Sequence, residues 1–293
     1  MSKIKIRGVE HFYELTTPVD HDLSHPTLVF IHGWLLSNKY WQPLIEQLKQ
    51  EYSCLAYDLK GFGRSLNDRK SCSCAYSLEG YAQDLRELLQ QLNINKAWLI
   101  GHSLGGSVAI WGADVCPETV EGVICLNAGG GIYLKEEFEQ FRNAGAKMVK
   151  FRRKWLKHIR LFDLVFARMM VKKPLEIKWG RQRLYDFLQA DEQSAIASLL
   201  ESTTEEQVHL LPQIVARISQ PLHFIAGKQD TIMEPKYVRH LASFHHLFQN
   251  HQNNVSEIDN CGHFSMLEQT NLVHEQILTI VAKYQQNENK MLR

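Results

Sequence analysis

The chain is predicted to be an α/β protein: a mostly parallel central sheet flanked by helices, with an inserted helical cap. Three observations predict this. Apolar strand-like runs alternate with amphipathic helical stretches; a Gly-x-Ser-x-Gly pattern stands between one such run and one such stretch; and the strand-like runs vanish between about 132 and 213.

The elements follow in order. Residues 4–15 read as a pair of strands with a tight turn near Gly8. Thr27–Ile31 is the first continuous apolar run, as a strand buried on both faces requires, and Cys54–Tyr57 is the next. Residues 41–48 and 78–92 carry apolar side chains three and four apart, the spacing of helices that cover a sheet. Residues 97–100 and 122–126 complete four parallel strands, and residues 106–111 suit a packed helix. After Gly129-Gly130-Gly131 only helical stretches rich in basic and aromatic residues occur. Sheet patterning returns at 221–226 and at Val255–Ile258, with helices over 235–247 and 270–284 and a polar tail that frays.

At 293 residues and 44% hydrophobic, the chain suits one domain with an insertion better than two independent domains. The boundaries expected are 1–131 with 214–293 for the core and 132–213 for the cap. A formal net charge of +1 gives no general case for nucleic acid as a partner. The N-terminus lacks a long apolar stretch and nothing stays apolar for a membrane span, so a soluble, cytoplasmic protein is expected. Cys54, Cys116, Cys125 and Cys261 show no disulfide spacing, and Cys72-Ser73-Cys74 has no second Cys or His pair near it in sequence, so reduced thiols and an exposed loop are expected. No metal or cofactor is expected.

The chemistry starts at Gly101-His102-Ser103-Leu104-Gly105. A strand that turns sharply into a helix puts the central serine in a strained conformation, and glycine two positions away on each side removes the resulting clashes. The hydroxyl then stands above the sheet, beside the N–H groups of a helix start. A serine is a poor nucleophile at neutral pH, so it needs a base, and the base needs an acid to orient it. Both should sit in loops at the carboxyl ends of later strands. Asp230, in Gly227-Lys228-Gln229-Asp230, and His263, in Asn260-Cys261-Gly262-His263-Phe264, meet that condition in the order Ser103, Asp230, His263. The loop after Leu126 reads Asn127-Ala128-Gly129 and offers no carboxylate, and Asp259 falls where capping or solvent exposure is expected. Of the 14 histidines, His240, His245, His246 and His251 stand in polar, surface-like contexts. An oxyanion needs two N–H donors, expected from Leu104 and from Trp34 in the loop His32-Gly33-Trp34-Leu35-Leu36. His32, Gly33, His102 and Phe264 are expected around the substrate, His32 and His102 mainly as supports.

Together, His32-Gly33-Trp34, residues 58–65 (DLKGFGRS), Gly101-His102-Ser103-Leu104-Gly105-Gly106, Gly227-Lys228-Gln229-Asp230 and Cys261-Gly262-His263-Phe264 resemble the α/β-hydrolase superfamily, in that family's order. The resemblance implies that residues 58–65 form a structural turn at the site entrance and that 132–213 shape the acyl or alcohol pocket. Haloalkane dehalogenases and epoxide hydrolases of this fold carry an aspartate where Ser103 stands, and proline iminopeptidases carry His-Gly-Gly-Pro-Gly where this chain has His32-Gly33-Trp34-Leu35-Leu36. The menaquinone-pathway synthase of this fold usually has an arginine where Ser107 stands, but its cap arginines could find counterparts here. Chlorophyll dephytylases and pheophytinases are similar in layout, a resemblance that implies a long prenyl ester as one candidate substrate and lipid metabolism as one candidate setting.

The function expected is serine hydrolysis of a small-molecule carboxylic ester with an apolar acyl or alcohol part. A lyase or acyltransferase of the same fold, or a binding protein that keeps the pocket without turnover, remains the alternative. Between 142 and 183 basic residues greatly outnumber acidic ones and alternate with aromatic residues. Three uses stay open: solvated charges over a packed apolar stripe, a basic surface meeting an anionic membrane, or a pocket for a substrate carboxylate or phosphate.

Overall fold

A computed structural model describes residues 2–18, 25–66, 76–129, 135–250 and 253–291. Cys72 and Cys74, Gly130 and Gly131, and His251 lie outside them. Among the described residues, eight strands form one sheet: β1 (Ser2–Ile6), β2 (Val9–Thr16), β3 (Thr27–Ile31), β4 (Cys54–Tyr57), β5 (Ala97–His102), β6 (Val120–Leu126), β7 (Leu222–Gly227) and β8 (Val255–Ile258). Their spatial order is β1-β2-β4-β3-β5-β6-β7-β8. β1 and β2 pair antiparallel with each other, β2 antiparallel with β4, and all later pairs are parallel.

The continuous apolar runs have a direct physical cause. Alternate residues of each central strand enter two different cores: Leu28, Phe30, Trp98 and Ile100 pack on one face with α1 (Gln42–Leu48) and α12 (Thr270–Met291). Val29, Ile31, Ala97 and Leu99 pack on the other with α2 (Leu78–Gln91) and α3 (Leu104–Val115). The order of strands reverses at β3, so the loops leaving β3 and β5 flank a crevice at their carboxyl ends.

Among the described residues, five α-helices stand between β6 and β7: α4 (Lys135–Phe151), α5 (Arg160–Arg168), α6 (Ile177–Gln189), α7 (Glu192–Ser202) and α8 (Glu205–Arg217). α5 and α6 approach closely because Gly180 has no Cβ, which would otherwise lie 1.9 Å from the Asp163 carbonyl oxygen. α8 runs through residue 213 without a break, and its Ile214 and Val215 join the core cluster that includes α3. α9 (Pro235–Ala242), α10 (His246–Gln249) and α11 (Ser265–Glu268) complete the fold.

Local differences from the sequence expectation have identifiable causes. The helix expected over 235–247 breaks because His245 adopts extended backbone and its side chain accepts the N–H of Leu247. His245 is fully buried, not surface-like, with Nε2 against the Gln220 carbonyl at 3.1 Å. The last helix extends to Met291, beyond the 270–284 span that the sequence pattern predicts. Cys54, Cys116, Cys125 and Cys261 are buried free thiols, and burial raises the pKa of each. No helix among the described residues is long and apolar enough to cross a membrane.

Asp186 of α6 ties the insertion to the core. Its carboxyl accepts from Ser37 Oγ at 2.8 Å and from Gln182 Nε2 at 2.9 Å while nearly fully buried. Burial is the main cause that raises its pKa to about 6, against the hydrogen bonds that oppose it. The folded protein therefore holds a proton that the unfolded chain releases at lower pH, and stability falls as pH rises through that interval. The difference in stability between the native protein and Asp186→Asn should decline between about pH 4 and pH 6, by at most about 3 kcal/mol, then stay level. Calorimetric unfolding of both proteins across pH 4 to 8 checks this; a difference that grows with pH contradicts it.

Candidate active site

Ser103 sits between β5 and α3 with φ +53° and ψ −120°, a backbone conformation that side-chain-bearing residues rarely adopt. The surrounding glycines make it possible. A Cβ on Gly101 would lie 2.2 Å from the Gly105 carbonyl oxygen, and one on Gly105 would lie 2.2 Å from that of Ile31. Both contacts are with backbone, which has little room to yield. The turn is closed by Ser103 N–H donating to the Leu126 carbonyl at 3.0 Å and Gly106 N–H donating to the Ser103 carbonyl at 2.9 Å.

His263 and Asp230 come from the loops after β8 and β7. His263 Nδ1 lies 2.8 Å from Asp230 Oδ2. The other Asp230 oxygen accepts the N–H groups of Ile232 and Met233 at 2.8 and 2.9 Å. Burial alone would raise the Asp230 pKa, but His263 and these two N–H groups together hold it below the ordinary aspartate value. Asp230 is thus a fixed anion behind the imidazole, with each of its oxygens satisfied.

Two polar residues that the sequence did not single out hold this pair. Asn127, in left-handed backbone at the end of β6, donates its amide to Asp230 Oδ2 and to the Gly262 carbonyl, both at 2.9 Å. The loop without a carboxylate therefore contributes the amide that joins the acid loop to the histidine loop. Glu268 accepts the N–H groups of Gly262 and Phe264 at about 3.1 Å and that of Lys172 at 2.7 Å. It binds the histidine loop to the helical insertion. His263 N–H also donates to the Met170 carbonyl at 2.8 Å, and a Cβ on Gly262 would collide with the backbone at 170–172.

The supports expected from sequence fall in two places. His102 is on the cavity wall; its Nε2–H donates to the His263 carbonyl at 2.7 Å, and its ring packs on His263 with centroids 4.9 Å apart. Burial above all, with the neighbouring His263, lowers its pKa to about 3, so it is neutral. His32 is fully buried below the loop and off the cavity wall, its Nδ1–H donating to the Gly33 carbonyl at 2.8 Å and its Nε2 accepting the Leu59 N–H at 2.9 Å. It holds backbone and makes no contact with the cavity. Gly33 is also off the wall, but a Cβ there would be 3.2 Å from that of Ser103. The 58–65 turn is held by Asp58, which accepts from the N–H groups of Asn38 and Arg64.

Ser103, Leu104, Trp34, His102, His263 and Phe264 share one cavity of about 410 Å³. Leu104 opens α3, so its N–H belongs to the first-turn donors that have no intrahelical acceptor. The Trp34 indole donates to the Ala195 carbonyl of α7 at 2.8 Å, which fixes the loop under the insertion. Most remaining walls are apolar, among them Phe141, Met148, Phe166, Phe187 and Leu199. Ser107, Ser202 and Thr203 add hydroxyl groups, and Arg183 of α6, almost fully buried, adds a charge, with its guanidinium 4.1 Å from the Phe264 ring centroid. It donates to the carbonyls of Phe166 and Met169, and no carboxylate pairs with it among the described residues. Burial lowers its pKa to about 10, far above neutrality, so it carries full charge.

The chain belongs to the alpha/beta hydrolase fold family, whose model matches residues 26–270. Three particular similarities add detail. An uncharacterized protein of Mycobacterium tuberculosis is 36% identical over 107 residues, 36% of this chain and 30% of that protein, so the match spans less than a third of that relative's length. The 2-succinyl-6-hydroxy-2,4-cyclohexadiene-1-carboxylate synthase of Yersinia pseudotuberculosis is 30% identical over 226 residues, 72% of this chain and 74% of that one. An esterase from Exiguobacterium antarcticum superposes with a TM-score of 0.78 at 18% identity, covering 96% of this chain and 99% of that one, which is a likeness of fold.

The strain at Ser103 gives a stability prediction. Ser103→Gly should be more stable than Ser103→Ala by about 1 kcal/mol, since relief of a positive φ outweighs the entropic cost of glycine. Urea unfolding of the two variants decides it; a glycine variant less stable than the alanine one contradicts the strain.

Proposed function

We propose that this chain is a serine hydrolase that cleaves carboxylic esters with an apolar acyl or alcohol part. The observation that carries the proposal is that Ser103, in its strained turn, and His263, backed by Asp230 at 2.8 Å, open on one largely apolar cavity. Ser103 Oγ attacks the ester carbonyl carbon and passes its proton to Nε2 of His263. The backbone N–H groups of Leu104 and Trp34 stabilise the oxyanion. When the tetrahedral species collapses, the alkoxide leaves with the proton from His263 and the acyl group stays on Ser103. Water, deprotonated by the same imidazole, then releases the acid. Asp230 holds the imidazole tautomer and stabilises the imidazolium. In this proposal residues 132–213 are the cap that shapes the pocket, and Asn127 and Glu268 are positioning residues.

With p-nitrophenyl esters of increasing chain length, kcat/KM should rise from acetate to medium chains. Ser103→Ala should lower kcat on the order of a millionfold and Asp230→Asn about ten-thousandfold. Stopped-flow and steady-state absorbance measure both; a Ser103→Ala variant near native rate contradicts the assignment.

A second reading, a lyase or acyltransferase of the same fold acting on a carboxylate-bearing substrate, is favoured by Arg183 on the cavity wall and by the similarity to the synthase. A desolvated cation without a carboxylate partner binds an incoming carboxylate strongly. Arg183→Gln should raise KM for p-nitrophenyl hemisuccinate at least about tenfold more than for p-nitrophenyl butyrate. Equal effects on the two esters remove a carboxylate-binding role for Arg183.

A further inference from the structure

The helical insertion presents a second apolar surface, outside the cavity. In α5, Leu161, Leu164 and Val165 are exposed, at the i, i+3, i+4 spacing of one helix face, while Asp163 and Ala167 on the opposite face are buried against α6. Phe151 at the end of α4, 69% exposed, and Trp155 in the following turn, 57% exposed, extend this apolar surface. Such a concentration of exposed large apolar side chains signals a partner that covers them.

Charge identifies the partner's chemistry. Residues 142–183 hold 14 of the chain's 33 Lys and Arg but only 2 of its 32 Asp and Glu. Those two acids are engaged: Asp163 is buried and pairs with Arg181, and Glu176 lies 3.0 Å from Lys178. Lys154, Lys157, Arg160 and Arg168 interleave with the exposed apolar residues, and no carboxylate pairs with them among the described residues. The rest of the chain is net negative. A surface with apolar side chains at its centre, long cationic side chains among them and an acidic body behind it is complementary to an anionic lipid interface.

We propose that the face formed by the end of α4, the Lys154–His158 turn and α5 docks on anionic membrane surfaces. Phe151, Trp155 and Leu161 enter the boundary between headgroups and acyl chains, and the interleaved lysines and arginines pair with lipid phosphates. Met148 and Met170 are partly exposed and also line the cavity, so the docked face adjoins the cavity that holds Ser103. The docking itself does not depend on the hydrolase reading.

Co-sedimentation of the native protein with phosphatidylcholine vesicles, with and without about 30 mol% phosphatidylglycerol, tests this. Binding should require the anionic lipid and weaken at least about tenfold between ~0.05 and ~0.5 M NaCl. Phe151→Ser with Trp155→Ser, and separately Lys154→Glu with Lys157→Glu, should each weaken binding about tenfold or more. All four positions are exposed, so circular dichroism and p-nitrophenyl butyrate turnover should stay native in both variants, which separates loss of docking from loss of the catalytic reading. Absence of binding to anionic vesicles at low salt, equal binding to both vesicle types, or variants that bind like the native protein would each overturn the proposal. So would light scattering that shows a dimer abolished by the serine pair, because a second copy of the chain would then own the surface.

Discussion

The structure depends on a backbone held against its own preference at Ser103. A non-glycine residue with φ +53° persists only where its surroundings over-determine it, and here they do so through contacts too close for any side chain. Gly105 presses on the β3 carbonyl of Ile31 and Gly101 on the start of α3, so two strands and a helix lock the turn from three sides. The hydroxyl is delivered to the cavity by rigid elements. A site built this way keeps its geometry without an ordered ligand, at a cost in stability borne by the sheet.

The second half of the site is organised by a buried polar knot. Loops leaving β6, β7 and β8 meet where the Asn127 amide bridges the Asp230 carboxylate and the Gly262 carbonyl, and Glu268 gathers the N–H groups on the far side. The same glutamate holds the Lys172 N–H, and His263 N–H meets the Met170 carbonyl. The insertion is therefore joined by hydrogen bonds to the loop that presents the imidazole, so a shift of 170–172 would be felt at His263.

What the sequence made legible was local. The strands were readable because both faces of each are buried, so their runs stay apolar, and the turn at Ser103 was readable because its glycines lie two residues away on each side. The pairing of Asp230 with His263 was readable because chain order and strand ends confine both residues. Asn127 was passed over because its part depends on two loops that are distant in sequence and adjacent only in the fold. Glu268 was missed for the same reason, since it joins the histidine loop to the insertion only in the fold. Arg183 is one of many basic residues between 142 and 183, and nothing local marks it as the one on α6 that turns inward. His245 misled because polar neighbours imitate exposure, whereas His32 holds backbone, as its place in a glycine-containing loop suggested.

The central claim is that Ser103 is an activated nucleophile, made so by its turn and by the His263–Asp230 pair. The most direct measurement is incubation with a fluorophosphonate probe followed by peptide mapping by mass spectrometry. The account predicts a single adduct on Ser103 that forms rapidly in the native protein and far more slowly in Asp230→Asn. Failure of the native protein to label, or labelling at another residue with Ser103 unmodified, would contradict it.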